Sequence, residues 1–425
     1  MVNEQYGLND KPKLSKMIVF GLQWLAVAIP FIIIIGNVAS GGQANIPYLQ
    51  KIFLLVGVLI LIQIFWGHRL PLIMGPSAVL LIAILTSSNQ GIGNINSSIM
   101  IGGLILSLLA VTGLFKHVKK LFTPLVIIVV LILISFSMTP IIISLISSGN
   151  LAISVYNFLF SLIFIMVIFT AHTFLKGMWK STLTLSALFS GTIIYYILFG
   201  SYNTLNLKLS FIGIPQSIIG PLSIPDIGVF TAFLVSFLAL AINDLSSMES
   251  VGTVLKADKM EKRVKNGVTI TGLGNFASGL FGVIGPVNYS ISHGLIAATG
   301  MASRFTFIPT AIALLILAFS PMAIGIMSDI PSPVIGVILL YILTTQIGAS
   351  LLRVVENDGL KTIDDGMIIA LPVILGTSIA FLPSEVVYKL PEIIRPVLAN
   401  GFVMGTLIVI ILEHLRHIKR HASEK

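Results

Sequence analysis

Two acidic residues, Asp244 and Glu249, stand in a long apolar run of the second half of the chain. A carboxylate at the depth of a bilayer costs about 2.5–3.5 kcal/mol on insertion scales, so it usually faces a partner, a substrate or a water-filled path. On a helix, the face of Glu249 also carries small and polar residues three and four positions away. These are Ser246, Gly252 and Thr253. Such a face suits a ligand. Asp244 lies about 140° around the helix, so the two acids do not form a pair.

Two interpretations of Glu249 remain open at this point. It is a hydrogen-bond acceptor for a polar substrate, and then also a candidate to carry a proton. Alternatively, Lys256 follows about 10 Å along the helix axis, which places Glu249 near the membrane interface without a role. Asp244 is the second candidate for coupling to an ion.

Two Gly-Pro pairs interrupt apolar segments at corresponding places in the two halves of the chain, at Gly75-Pro76 and Gly285-Pro286. Proline removes a backbone donor, and the residue before it avoids the helical conformation. Irregular backbone at membrane depth is tolerated only when it is buried or lines a cavity, and paired breaks indicate a midplane binding site in inverted-repeat transporters. The alternative is chance, because Gly and Pro are common in membrane helices.

Polar side chains crowd the segment after the second break. A half-helix starting near Ser290 would direct its N-terminal amides at a cavity. His293 is open to two interpretations, a hydrogen-bonded packing residue or a pocket residue. Gln23, in the first apolar segment, is either a link between helices or a pocket donor. The predicted substrate-binding side chains are Glu249, Ser77, Gln23, Asn288, Tyr289, Ser292 and His293.

The sequence argues against several kinds of chemistry. The chain has no cysteine, which excludes disulfides and thiolates. No metal-ligand spacing, nucleophile triad or phosphate loop is visible, so we predict no enzymatic activity, no metal and no cofactor. The glycines within 272–285 are typical of helix packing, because a dinucleotide fingerprint needs a soluble strand–helix–strand context.

The composition is that of a membrane protein. Of 425 residues, 56% are hydrophobic and 10% are charged, and apolar stretches long enough to span a bilayer recur along the chain. We predict an all-α polytopic membrane protein with about fourteen transmembrane helices and no sizeable soluble domain. Residues 1–16 are polar and lead into a full-length span, so no cleavable signal peptide is expected.

The net charge of +9 is explained by the predicted membrane topology, which places most Lys and Arg on one side. If the chain starts inside and alternates, the 25 Lys and Arg fall on one side, with the exception of Lys51, Lys208, Lys389 and Arg395. The positive-inside rule then predicts a multi-pass protein of the cytoplasmic membrane with both termini in the cytoplasm. The surplus charge attracts anionic membrane lipids. No basic patch interleaved with aromatic residues exists, so nucleic acid is not an expected partner.

Several stretches together resemble one transporter family. They are Gly21-Leu22-Gln23-Trp24-Leu25, Glu249-Ser250-Val251-Gly252, 281–304 with Gly294, Thr299, Gly300 and Arg304, and 330–353. These stretches resemble the nucleobase/ascorbate transporter family, which contains bacterial uracil and xanthine permeases. The resemblance covers most of the chain, and it places Glu249 where the family has its substrate-binding glutamate.

The resemblance implies a seven-plus-seven inverted repeat whose helices 3 and 10 contain short strands that meet near the substrate. It implies a core domain and a gate domain, and members are typically proton- or sodium-coupled symporters and often dimers, here through the gate domains. The implied segments are a tail 1–16, core 17–115 (helices 1–4) and 228–327 (helices 8–11), gate 121–200 (helices 5–7) and 332–412 (helices 12–14), a linker or re-entrant segment 201–227 and a tail 413–425.

Three positions depart from the family pattern. Trp24 stands where the family has His, and Ile291 and Ser292 replace the Gln or Glu and the Asn of the tenth-helix signature. One usual side-chain contact to a nucleobase is therefore missing, and a pocket that loses a polar partner changes what it accepts. Asn288, Tyr289 and His293 are the candidates to replace it.

The leading function hypothesis is secondary active import of a nucleobase such as uracil or xanthine, coupled to H+ or to Na+. The second is an anion or carboxylate carrier on the same architecture, which the loss of an acid at Ile291 would suit and Glu249 opposes. An intramembrane enzyme or a sensor is the third, although neither paired acids nor a soluble output domain is evident.

Overall fold

The computed structural model describes residues 6–41, 45–200, 209–289, 291–292, 295–296, 300–356, 362–391 and 394–423. The helices of the first half are α1 Leu14–Ala39, α2 Ile46–Phe65, α3 Ala78–Thr86, α4 Ile92–Val111, α5 Phe115–Leu121, α6 Pro124–Ser137, α7 Thr139–Ile146, α8 Leu151–Phe174, α9 Gly177–Ser181 and α10 Leu183–Phe199. Those of the second half are α11 Ile227–Val254, α12 Met260–Phe281, α13 Phe307–Ala318, α14 Pro321–Ser328, α15 Ser332–Glu356, α16 Ile363–Ala380, α17 Ser384–Lys389, α18 Arg395–Leu398 and α19 Gly401–Ser423. The strands are β1 Met74–Pro76 and β2 Pro286–Asn288.

The molecule is an integral membrane protein. Within the described ranges, eight helices are long and apolar enough to span a bilayer, and a ninth span results if α13 and α14, bent by 96°, count as one. Other apolar segments are shorter or broken. Residues 70–87, for example, form strand β1 and the short helix α3 instead of one helix, because Gly-Pro resists helix continuation.

The two Gly-Pro breaks meet, which confirms the expectation that short strands pair between the halves. β1 and β2 are antiparallel, with Gly75 opposite Val287 and Pro76 opposite Pro286. The backbone amide of Ser77 donates to Gly285 O (2.9 Å), which extends the contact beyond the strands. The backbone groups freed by the breaks thus bond to each other in a buried region.

Gly75 and Gly285 allow the two broken segments to approach closely, because they carry no side chain. A Cβ on Gly75 would lie 2.6 Å from the Tyr289 hydroxyl, and one on Gly285 would overlap the side chain of Asn275. The same principle joins α4 to α12, where a Cβ on Gly272 would lie 2.5 Å from the backbone N of Ser107. Glycines inside 272–285 therefore pack helices, as the sequence predicted.

Two sets of helices pack around this crossing. α4 packs along α12 and α2 along α13, whereas α6 packs against α15, α16 and α19. Residues 209–226, between the two halves, contain no helix and lie on the ends of α2 and α4. Gln50 Nε2 donates to Gly213 O (2.9 Å) and Asn96 Nδ2 donates to Pro221 O (2.9 Å). The described part of the linker is thus fixed by side chains from the first half.

Candidate functional site

A small cavity of about 60 Å³ lies beside the strand crossing. Its walls come from α1, α3, α11 and β2 on one side and from α6 and α15 on the other. Most of the lining is apolar, and the polar side chains that reach it are Asn243, Tyr289 and Gln346. A mostly apolar pocket with a few fixed polar groups is the usual form of a small-molecule site.

Tyr289 forms an aromatic wall of the cavity with Phe31. The two ring centroids are 4.6 Å apart, and the planes are tilted by 39°. The Tyr289 hydroxyl donates to Pro76 O (2.7 Å), and its backbone N donates to Ile73 O (2.8 Å). The ring is therefore held from both ends by the β1 segment, and it offers a rigid apolar surface to a planar ligand.

Asn243 and Gln346 are cavity residues that the sequence analysis missed. Asn243 precedes Asp244 on α11, and Gln346 lies on α15, where its Nε2 donates to Leu131 O (2.9 Å). Each is an amide in an apolar helix, which is the signal that singled out Gln23. The oxygen of Gln346 is not bound by that contact and is free to accept another hydrogen from a ligand.

Asp244 lies behind the cavity wall and is completely buried. Its Oδ1 accepts from the backbone N (3.1 Å) and the Nδ2 (2.7 Å) of Asn288, and Ser247 Oγ donates to Asn288 O (3.0 Å). The other oxygen, Oδ2, is buried, and the Thr271 side chain of α12 is a hydrogen-bonding neighbour of this carboxyl. Because side chains alternate along a strand, Val287 and Tyr289 face the cavity while Asn288 faces Asp244.

Glu249 lies away from the cavity in this structure. Its side chain is 45% exposed, and its Oε1 is 2.5 Å from Nζ of Lys119 on α5. Five residues beyond Asp244 is about 7.5 Å further along the helix, which carries the second acid past the strand crossing. The structure therefore separates the two acids and gives Glu249 a cationic partner from the first half.

Ser77 and Ser292, near the two breaks, form hydrogen bonds with backbone groups. Ser77 is buried and accepts from Leu80 N (3.4 Å), which caps α3. Ser292 is also buried; its Oγ donates to Tyr289 O (2.9 Å) and accepts from Ile73 N (3.0 Å). Neither residue lines the cavity. Both hold the broken segments in place.

Gln23 and its neighbour Trp24 lie away from the cavity, and the last candidates lie outside the described residues. Gln23 is buried in α1 but does not line the cavity. Trp24, the residue beside it, donates from Nε1 to Thr306 Oγ1 (3.2 Å) and packs on Phe307, so it fastens α1 to α13. His293 and Ser290 lie outside the described residues, as does the proposed half-helix start. No group of three His, Asp or Glu in the described part of the chain is arranged to hold a metal ion.

Comparison of the sequence and of the fold shows which known proteins this chain is similar to. A nucleobase transporter of Paenibacillus larvae subsp. larvae (strain NRRL B-3650 / LMG 16245) is 26% identical over 97% of this chain and 97% of its own length. A xanthine permease of Escherichia coli (strain K12) is 29% identical over 40% of this chain and 38% of its own. Among solved structures, the transmembrane domain of a cyanobacterial bicarbonate transporter shares the fold with a TM-score of 0.58 and 16% identity, over 97% of this chain and 99% of that one.

The family assignment rests on a family model that matches most of the chain. The family model Xan_ur_permease, described as the Permease family, matches residues 15–385. This range includes both strands, the cavity and both acids of α11. The resemblance to uracil and xanthine permeases is therefore confirmed, and the transporter class, not an enzyme, follows from it. The chain is an integral membrane transporter that belongs to the Permease family.

Proposed function

We propose that this transporter imports a nucleobase such as uracil or xanthine across the cytoplasmic membrane by proton-coupled symport. The observation that carries the proposal is the cavity beside the strand crossing, which combines an aromatic wall with two amide side chains. The names of the relatives, a nucleobase transporter and a xanthine permease, support the same substrate class.

The cavity chemistry suits a flat ring with a polar edge. Offset or tilted stacking on Tyr289 and Phe31 would hold the ring face. Amide side chains carry both donors and acceptors, so Asn243 and Gln346 would match the alternating N–H and C=O groups of an imide edge. These two residues would supply the edge contacts that Ile291 and Ser292 do not.

The size and the walls of the cavity support a mechanism of alternating access. A cavity of about 60 Å³ is small for a ligand, since small-molecule sites usually measure about 300–1,000 Å³, so a nucleobase needs the walls to separate. The walls come from both predicted domains: core 17–115 and 228–327, and gate 121–200 and 332–412. We propose that the core moves against the gate around the site, with fourteen helices in a seven-plus-seven repeat and both termini in the cytoplasm.

Asp244 is the proposed coupling residue. A buried carboxylate is expensive in its charged form, so Asp244 is a suitable place to bind and release a proton or a cation. Asp244 bonds to Asn288, and the neighbours of Asn288 in β2 are cavity wall. A change of charge at Asp244 would therefore move the strand that touches the substrate.

Uptake by the purified protein in proteoliposomes tests the proposal. We expect an inward proton gradient to drive accumulation of labelled uracil or xanthine. Asp244→Asn keeps an oxygen for both Asn288 donors but does not titrate, so it should retain nucleobase exchange and lose gradient-driven accumulation. A sodium gradient at constant pH serves as the second arm, and accumulation there would make Na+ the coupling ion.

Two results would overturn the proposal. One is the absence of gradient-driven or exchange uptake of any nucleobase by a folded parent protein. The other is chloride or bicarbonate flux that is indifferent to nucleobases, which would make the chain an anion carrier on the same fold. Equal accumulation by Asp244→Asn and the parent would leave nucleobase transport intact and remove Asp244 from coupling.

A homodimer through the gate is a separate part of the proposal. One face of α8 is apolar and exposed, with Leu162, Ile163, Met166 and Val167. Such a face meets either lipid or a second copy of the chain in the membrane. Cross-linking at native density in membranes would distinguish the two, since a lipid-facing helix gives no specific dimer band.

A further inference from the structure

A second cavity, of about 380 Å³, lies at the end of the molecule that the positive-inside rule assigns to the cytoplasm. It shares no lining residue with the small cavity. Five cationic side chains and one acidic side chain converge on it. They are Arg69, Lys259, Lys262, Arg263, Arg304 and Asp258.

Asp258, the one acid that lines this basic cavity, forms an ion pair with Arg263. Arg263 donates from Nη2 to Asp258 Oδ1 (2.8 Å) and from Nε to Asp258 O (2.8 Å). This hydrogen bond and the nearby positive charge hold the pKa of the Asp258 carboxyl below its usual range. Asp258 and Arg263 therefore cancel, and the other cations retain an excess of positive charge.

Several donors that line the basic cavity are not used by the protein. Lys259 and Lys262 are exposed, and neither ammonium makes a hydrogen bond or ion pair with any described residue. Arg304 donates from Nη1 to Ile64 O (2.7 Å), while its Nε is buried without a hydrogen-bond partner in the described part of the chain. Like charges brought together in this way repel unless an anion lies between them.

The backbone adds to the positive potential. Helix α12 begins at the cavity, and Lys259, at its N-cap, provides no side-chain cap for the first turn. The N-terminus of a helix attracts anions through its free N–H groups and its dipole. Arg69 and Lys259 also have φ of +55° and +50°, in the left-handed region that favours glycine, so both cations are held on the rim by strained backbone.

We propose that this basic cavity binds a phosphate group. Its chemistry is that of a phosphate oxyanion, which arginine and lysine recognise together with a helix N-terminus. Two sources carry this group to the cytoplasmic face, an anionic phospholipid of the inner leaflet and free inorganic phosphate. Basic pockets between transmembrane helices on this side are suited to lipid headgroups.

Thermal unfolding of the purified full chain tests the site in two arms. In detergent, inorganic phosphate is titrated against chloride at the same ionic strength; in nanodiscs, phosphatidylcholine alone is compared with phosphatidylcholine plus phosphatidylglycerol. We expect the double variant Lys259→Gln/Lys262→Gln to weaken the apparent affinity roughly tenfold or more in the arm that responds. Lys265→Gln is the single-charge control, because it removes one positive charge from α12 at a position that does not line the cavity.

The outcomes separate the sources. Saturable stabilisation by inorganic phosphate, lost in the double variant and kept in the control, assigns the site to free phosphate. A response only to phosphatidylglycerol with the same variant pattern assigns it to the lipid headgroup. If the double variant and Lys265→Gln respond like the parent in both arms, the proposal is wrong. In chloride alone neither substituted protein should unfold below the parent, because the substituted side chains are exposed and their loss relieves repulsion between like charges.

Discussion

The two acids of α11 lie in opposite electrostatic surroundings. The ion pair of Glu249 with Lys119 is about half exposed, and such pairs contribute roughly 0–1 kcal/mol to stability. Asp244 is fully buried, which is costly for a charged carboxylate that has no cationic partner among the described residues. We therefore keep Asp244 as the proposed coupling residue, and Glu249 remains a proposed substrate ligand that must first leave Lys119.

Two matched substitutions decide the role of Glu249. Glu249→Gln removes the carboxylate, whereas Lys119→Gln removes only its partner, and each breaks the same ion pair. If Glu249 binds substrate in another state of the transport cycle, Glu249→Gln should weaken nucleobase binding about tenfold or more, since losing a charged hydrogen bond costs about 1.5–3 kcal/mol. Lys119→Gln should bind like the parent. Binding measured by equilibrium dialysis that changes equally in both variants would reduce Glu249 to an ion-pair partner.

Helix packing at α4 and α12 depends on the absence of side chains. A Cβ on Gly279 would lie 2.3 Å from the backbone N of Met100, and backbone cannot give way as a flexible side chain can. Gly279→Ala should therefore destabilise the protein by about 1–3 kcal/mol. Gly348→Ala, in α15, meets nothing within 4 Å and should be neutral or stabilise by about 0.5–1 kcal/mol. Thermal unfolding in detergent measures both, and indistinguishable midpoints would contradict the packing argument.

The elements differ in how much the sequence could predict. Gly75-Pro76 and Gly285-Pro286 marked both broken segments, because proline chemistry is local. The register of β1 with β2 was not accessible, since three-residue strands have no periodicity and their pairing is set by long-range contacts.

At the candidate site, too, the sequence indicates residue types but not the long-range contacts that position them. Asp244 and Tyr289 were recognised as candidates from their residue type alone. The position of Glu249 depends on Lys119, which comes from the other half of the chain, and no pattern around Glu249 contains it. Asn243 and Gln346 carried a usable signal, an amide in an apolar helix, but only the three-dimensional fold brings the two onto one cavity.

At the scale of the whole molecule, the cavity belongs to both halves of the packing. One wall is made by helices around the strand crossing and the other by α6 and α15. The proposed mechanism therefore requires relative movement of the two for substrate entry. A direct polar link between these sets is the hydrogen bond from Asn400 Nδ2 to Thr86 Oγ1 (3.1 Å), at the end of α3 remote from β1. If the core moves against the gate, this contact must open and close in each cycle.

A reversible cross-link at that contact tests the movement. The chain has no cysteine, so Thr86→Cys/Asn400→Cys introduces the only two thiols. Oxidation should join them in the state seen here, and gradient-driven uptake should fall to background because the core is then fixed to the gate. Reduction should restore uptake, and the two single-cysteine variants should be insensitive to oxidant. Thiol labelling reports whether the bond has formed. A fully cross-linked protein that still transports at the parent rate would show that the cavity opens without movement between α3 and the segment before α19, and the proposed mechanism would have to place the hinge elsewhere.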